Sequence, residues 1–491
     1  MEVRQLIKQN YKYSLALLLV ACAVLIAYPG EVGIPKLVYM VTTIFLLVSL
    51  LLPHLLDKQN TKGLYVFIAF LGVSSALVTP ILNTPDEPVH FARSLKVASG
   101  EINLDDNPKN LLISEDYRQV NNQAKVKITQ TNLFSIPSSD KMIPFAKGEM
   151  DYRGTNQYSF LSYLPQAIGI AIGKLLHLNV GFIYYIGRIC NALFYGFLAV
   201  LAIKLSGRFS QLMFLGATFP MSIALSGSYN QDGTALGYQL LAVGFFLYLI
   251  ERKKPIDIGH MMTYIVICAL VMLSKLPFVA FAGLLIFIPK KRFKSAKLYW
   301  SSFIAIIALL FATAIWYKTT SQLGSNMSLP NVSLPKQLHN FITQPNIYVP
   351  VILKEFLNFG AHLGQLYEFG WLDLSMSNFY VYFLLLYATI VFFNLGKIKL
   401  SNWTRFGIIA VSSAIVLGVT GVMFLTWTPV GHFEVLGVQG RYYISLYILI
   451  LAVITSFKPK QITIGTISDS LVLQTSLYST VAMLLLSISM M

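Results

Sequence analysis

The stretch Asn83-Thr84-Pro85-Asp86-Glu87-Pro88-Val89-His90-Phe91-Ala92-Arg93 sets two adjacent carboxylates, an imidazole and a guanidinium within eight residues. It directly follows an apolar run over 63–82. The chain has only 21 acidic residues in 491, so an acidic pair at a hydrophobic boundary is a concentration of chemistry. Like charges side by side need a counter-charge, a metal or a proton-transfer task. A carboxylate near a histidine can take a proton from a hydroxyl. Two carboxylates are also hard ligands, which makes Asp86 and Glu87 the candidate holders of a divalent cation, Mg or Mn. A plain surface ion-pair network is the alternative. In a helix over 86–97, Asp86, His90 and Arg93 fall on one face with Glu87 beside them.

Other polar clusters sit at the ends of apolar runs. Ser228-Tyr229-Asn230-Gln231-Asp232-Gly233 joins two runs in a tight turn, Lys275 precedes Leu276-Pro277, and Glu434 with Gln439-Gly440-Arg441-Tyr442-Tyr443 leads into a late run. Each has a structural reading: Asp232 as a helix N-cap, Arg441 and Lys275 as snorkelling interfacial cations, Tyr442 and Tyr443 as an aromatic belt. Ionisable groups at membrane depth are costly, so several on one face suggest a shared cavity. The histidines show no HExxH or comparable spacing, which argues against a tightly held structural zinc.

The elements that position these residues follow from composition. The chain is 55% hydrophobic and 12% charged, with a mean hydropathy of +0.64. Such a composition excludes a soluble globular protein and, with apolar runs of bilayer length, implies an all-α polytopic membrane protein. The net charge of +16 comes from short loops such as Arg252-Lys253-Lys254, Lys290-Lys291-Arg292, Lys397 to Arg405, and Lys458 with Lys460. That is the positive-inside pattern rather than a nucleic-acid surface, and no nucleic-acid partner is expected. Cys22, Cys190 and Cys268 all lie in apolar runs and have packing roles.

Spans are expected near 13–28, 35–55, 64–82, 181–203, 209–227, 233–250, 258–274, 276–289, 298–317, 378–397, 406–427, 441–457 and 470–490. That makes about 13 transmembrane helices, within a range of roughly 12–14. Residues 159–177, short and interrupted by Pro165, read as an interfacial or re-entrant helix, because that reading keeps every basic loop on one side. The first run follows Arg4, Lys8 and Lys12 and reads as a retained helix. The expected organisation is a two-helix extension (1–62), a membrane core (63–457) and a last helix (458–491). The core carries two long external segments, 83–158 with short interfacial helices and 318–377. The N-terminus is then inside, and all the polar clusters lie on the extracytoplasmic face of the cell membrane. Sequon matches at Asn326 and Asn331 carry little weight.

Pro85-Asp86-Glu87-Pro88-Val89-His90-Phe91 with Arg93 and Gly100, then Asn230-Gln231-Asp232-Gly233, then Gln439-Gly440-Arg441-Tyr442, resemble the DUF2142 family of bacterial membrane proteins over about 63–457. Tyr163-Leu164-Pro165-Gln166 and Gly187-Arg188-Ile189-Cys190-Asn191 are similar to positions of that family. The family in turn resembles the GT-C superfamily of glycosyltransferases, which carry an acidic residue in the first external loop and use polyprenyl-phosphate sugars. The resemblance implies a GT-C-like fold, a polyprenyl-phosphate-linked sugar donor and a cell-envelope glycan acceptor. In it Asp86 or Glu87 is base or metal ligand. His90, Arg93, Tyr163, Gln166, Asn230, Asp232, Lys275, Gln439, Arg441 and Tyr442 bind substrate or phosphate. The rival readings are a transporter or flippase of lipid-linked glycan, and a non-catalytic partner in polysaccharide assembly. A transporter should carry mid-bilayer charges and an internal repeat. Here the charges cluster at run ends, and no repeat is visible.

Overall fold

A computed structural model describes residues 3–29, 35–55, 61–102, 112–124, 133–146, 149, 152–324, 331–376, 379–394, 400–457 and 469–489. The Asn326 sequon, Lys397, Lys458 and Lys460 lie outside them. In chain order the helices are α1 Val3–Ala27, α2 Lys36–Leu55, α3 Thr61–Val78, α4 Glu87–Ala98, α5 Glu115–Ala124, α6 Leu164–Leu175, α7 Val180–Leu205, α8 Ser210–Ala217 and α9 Pro220–Ser226. Then come α10 Gln231–Glu251, α11 Ile258–Ser274, α12 Ala296–Gly324, α13 Leu334–Thr343, α14 Pro345–Leu357, α15 Tyr380–Asn394, α16 Asn402–Thr426, α17 Ile444–Ser456 and α18 Asp469–Ser489. Among the described residues the strands are two short antiparallel pairs, Leu112–Ser114 with Met142–Pro144 and Glu368–Phe369 with Leu374–Ser375.

Among the described residues, seven helices are long and apolar enough to cross a membrane, within α1, α3, α7, α10, α12, α16 and α18. The chain is therefore a membrane protein with several spans, fewer in full-length helices than the expected thirteen or so. The difference has a physical cause. The expected span 209–227 contains Pro220 and breaks into a pair bent by 71°. Residues 276–289 wind as a 3-10 helix, Leu276–Phe287, behind Pro277. The segments α11 and α17 are helical over 17 and 13 residues, and α2 and α15 end against residues outside those described. Between 159 and 177, α6 has 12 residues. At 1.5 Å per residue such a helix is about 18 Å long, well short of a hydrocarbon core of about 30 Å.

The bundle has two chemically distinct ends. At one, the basic loops meet: Arg292 donates to Ile250 O and Arg252 O, both at 2.6 Å, and Arg405 donates to Ser456 Oγ at 2.8 Å. From there α10 and α17 lead back to Asn230 and Arg441 at the other end. The second long loop closes over that other end. Trp371 Nε1 donates to Leu82 O at 3.2 Å, and Gln337 Nε2 to Phe424 O at 3.1 Å.

Candidate functional site

Asp86 and Glu87 are adjacent but do different things. The α4 helix starts at Glu87, with Pro88 in its first turn. Glu87 is fully buried against Arg188 of α7, and both side chains are 0% exposed. Arg188 Nε and Nη2 donate to the two carboxylate oxygens at 2.8 and 2.7 Å, the planar fork matching the carboxylate edge. The remaining guanidinium protons go to the carbonyls of Ala76, Thr79 and Pro80, and Tyr229 N donates to Glu87 Oε1 at 2.9 Å. This set pins the end of α3, the start of α4, α7 and the turn before α10 together. An arginine inside an apolar run was the signal that such a partner existed.

Asp86 is the N-cap residue of α4, yet its side chain makes no cap bond. Its backbone is left-handed, at φ 63°, a region sparsely used by residues other than glycine. This turns its carboxylate outward, 41% exposed, to within 3.5 Å of Arg441 Nη2. Helix geometry had suggested one shared face with Glu87 beside it. The left-handed residue instead sends the two acids to different partners.

Arg441 is the hub. Its Nε lies 3.1 Å from Asp232 Oδ2, and Lys275 Nζ lies 2.6 Å from Asp232 Oδ1. Residues far apart in the chain thereby meet at one point; Asp86 and Arg441 are separated by 355 positions. Asp232 does not cap α10. Asn230 does, accepting from Asp232 N at 2.7 Å, which leaves the Asp232 carboxylate for the two cations. The Lys275 ammonium stands 3.5 Å above the Tyr442 ring, with Arg441 at 5.5 Å from it. That is cation–π geometry rather than a belt facing lipid.

The other candidates take defined places. His90 Nδ1 is 2.9 Å from Tyr163 OH, and burial pushes the His90 imidazole down to about 4, against the pull of Asp86 and Asp232. It is a neutral ring at ordinary pH. Gln166 Nε2 donates to Asn230 O at 3.2 Å, and Asn230 Nδ2 to Pro85 O at 3.4 Å, tying α6 and the Asn230 turn to the acidic motif. Arg93 points elsewhere: its described contacts are Ile102 O and the Tyr163 ring at 5.9 Å, and burial lowers its guanidinium from the ordinary value. Gln439 contributes backbone, its carbonyl accepting from Tyr442 N at 3.1 Å. Two residues of the second loop gain a place that the sequence alone does not assign them: Glu368 shares a cavity with Asn83, Thr84, Pro85, Phe369 and Arg441, and His362 meets Glu355 at 2.6 Å.

The divalent-cation fit is poor. Among the described residues no three His, Cys, Asp or Glu side chains converge. Glu87 is committed to Arg188, and Asp86 and Asp232 face cations that would repel a metal. What the arrangement can do is bind an anion beside a partly exposed carboxylate.

The chain matches a family described as a predicted membrane protein, DUF2142, over residues 67–450. It belongs to the DUF2142 family. The matched region runs from α3 into α17 and includes every residue of the site. No curated protein and no solved structure matches the chain.

Proposed function

We propose that this DUF2142 protein is an extracytoplasmic glycosyltransferase that moves a sugar from a polyprenyl-phosphate carrier to a cell-envelope glycan. The observation that carries this reading is a partly exposed carboxylate, Asp86, beside the buried cations Arg441 and Lys275. Glycosyl transfer from a lipid phosphate needs both: a base for the acceptor hydroxyl and positive charge for the leaving phosphate. In this mechanism Asp86 takes the hydroxyl proton as the acceptor oxygen bonds to the anomeric carbon. The bond from that carbon to the phosphate oxygen breaks, and its electron pair leaves on the phosphate. Arg441 meets the phosphate oxygens and Lys275 adds point charge, while Asp232 holds both cations in place. A single displacement inverts the anomeric centre.

The orientation supports the same reading. The basic loops lie at the end opposite the site, and positive-inside asymmetry thereby favours a site outside the cytoplasm. A GT-C-like topology with the short and broken helices counted as spans remains part of this proposal. The test is transfer from a radiolabelled polyprenyl-phosphate sugar by purified protein in liposomes. Transfer by the wild type, and about 10²–10⁴-fold less by Asp86→Asn, is expected. Movement of lipid-linked glycan across the bilayer without transfer would replace the enzyme with the flippase.

A further inference from the structure

The segment bearing Arg441 is held from outside the helix bundle, by the second long loop. The 3-10 helix Asn358–Tyr367 rests directly on Gly440: a methyl group at Gly440 would collide with His362 O and crowd the Gln365 side chain. Gly440 N donates to Gln365 Oε1 at 2.6 Å, which fixes the orientation of the Gln365 amide, since its NH2 group cannot accept. The same Oε1 lies 3.1 Å from His362 Nδ1, and Glu355 Oε1 lies 2.6 Å from His362 Nε2. Both ring nitrogens thus face oxygen acceptors. A neutral imidazole has one N–H and satisfies one of them; the imidazolium satisfies both.

We propose that His362 is a positioning residue that, as an imidazolium, locks Glu355, Gln365 and Gly440 into a clasp holding Arg441 at Asp86 and Asp232. Its effect on sugar transfer rests on the function proposed above; the clasp does not. The groups facing His362 are Glu355 from α14, Glu368 from the strand after the 3-10 helix, and the Tyr443 ring at 5.9 Å. The neighbouring α9, Pro220–Ser226, contains no titratable side chain. Burial pulls His362 down, but the Glu355 carboxylate outweighs it and the ring ends above its ordinary value. A raised folded value means that the stabilisation is complete below the unfolded value and is lost as pH rises through the folded one.

The test measures thermal unfolding in detergent against pH for wild type, Glu355→Gln and His362→Gln, with binding of a polyprenyl phosphate and of inorganic phosphate in parallel. The wild type should lose stability through a midpoint above the ordinary histidine value, and part of its affinity for both phosphates with it. Glu355→Gln should move that midpoint about one pH unit or more lower, as expected for removing an adjacent opposite charge. His362→Gln should abolish it. A midpoint unmoved in Glu355→Gln overturns the proposal. Should that variant not fold, histidine-labelled NMR of the wild type decides, and titration of His362 at or below the ordinary value overturns it. Failure of polyprenyl phosphate to bind at any pH refutes the transferase reading alone, because the unfolding midpoints still test the clasp.

Discussion

Two carboxylates one residue apart, Asp86 and Glu87, anchor two ionic clusters of opposite character. Around Glu87 and Arg188 every strong hydrogen-bonding group is used, and nothing is exposed. Around Asp86 the carboxylate is 41% exposed, and Arg441 meets it at 3.5 Å, too long for a strong charge-assisted bond. A closed pair in a low dielectric fixes architecture, because separating it strands a charge. An open pair leaves a cation able to exchange partners. The contrast assigns Glu87 to holding four segments together and leaves Asp86 for chemistry.

The comparison can be broken from either side. Asp86→Asn should reduce transfer by about 10²–10⁴-fold, the range of a general base. It should leave the unfolding temperature nearly unchanged, because Asn tolerates the left-handed backbone as Asp does. Equal losses of activity and stability would erase the distinction between the two acids. Glu87→Gln should do the reverse, destabilising by about 3–5 kcal/mol through an uncompensated Arg188, seen as a lower thermal midpoint in detergent. Replacing both Glu87 and Arg188 by apolar residues should recover only part of that. The carbonyls of Ala76, Thr79 and Pro80 would still lack their donor.

Arg441→Lys keeps the charge and removes the fork. It should weaken phosphate-lipid binding by about 1.5–3 kcal/mol, read by titration calorimetry. The last expected effect, confined to acid pH, concerns His90. Its folded value is lowered to about 4, so between there and the ordinary 6.5 the unfolded chain binds a proton that the folded chain does not. Stability should therefore fall as pH drops through that window. His90→Gln should flatten this acid limb while leaving the limb from His362, above the ordinary histidine value, intact, which unfolding curves across pH would resolve.

Much of the site was legible in the chain because polar residues in so apolar a sequence are conspicuous. Asp86, Asn230, Asp232, Lys275, Arg441 and Tyr442 stand at the ends of apolar runs, and they meet. Their division of labour was not legible. Helical periodicity placed Glu87 with Asp86, and only the left-handed backbone at Asp86 separates them. Asp232 beside Gly233 looked like a cap, whereas Asn230 takes that role and frees it. Arg93 shared the acidic motif's helix but turns to Ile102 and Tyr163. The segment through Glu355, His362, Glu368 and Trp371 reads as amphipathic, but nothing local gives His362 or Glu368 a role, because the loop's docking on Gly440 is a contact across the fold.

By itself the sequence determined the solvent of this protein and the composition of its boundaries. Apolar runs of bilayer length must be helical, and charges too costly for the bilayer core must gather where the runs end. Tertiary structure decided which runs form full spans, since Pro220 breaks a helix that hydropathy alone counts as continuous and Leu276–Phe287 winds as a 3-10 helix. It also decided which carboxylate is closed and which is open. That choice depends on a guanidinium arriving from 101 residues away on α7 and another from 355 residues away before α17, and no local pattern encodes such distances.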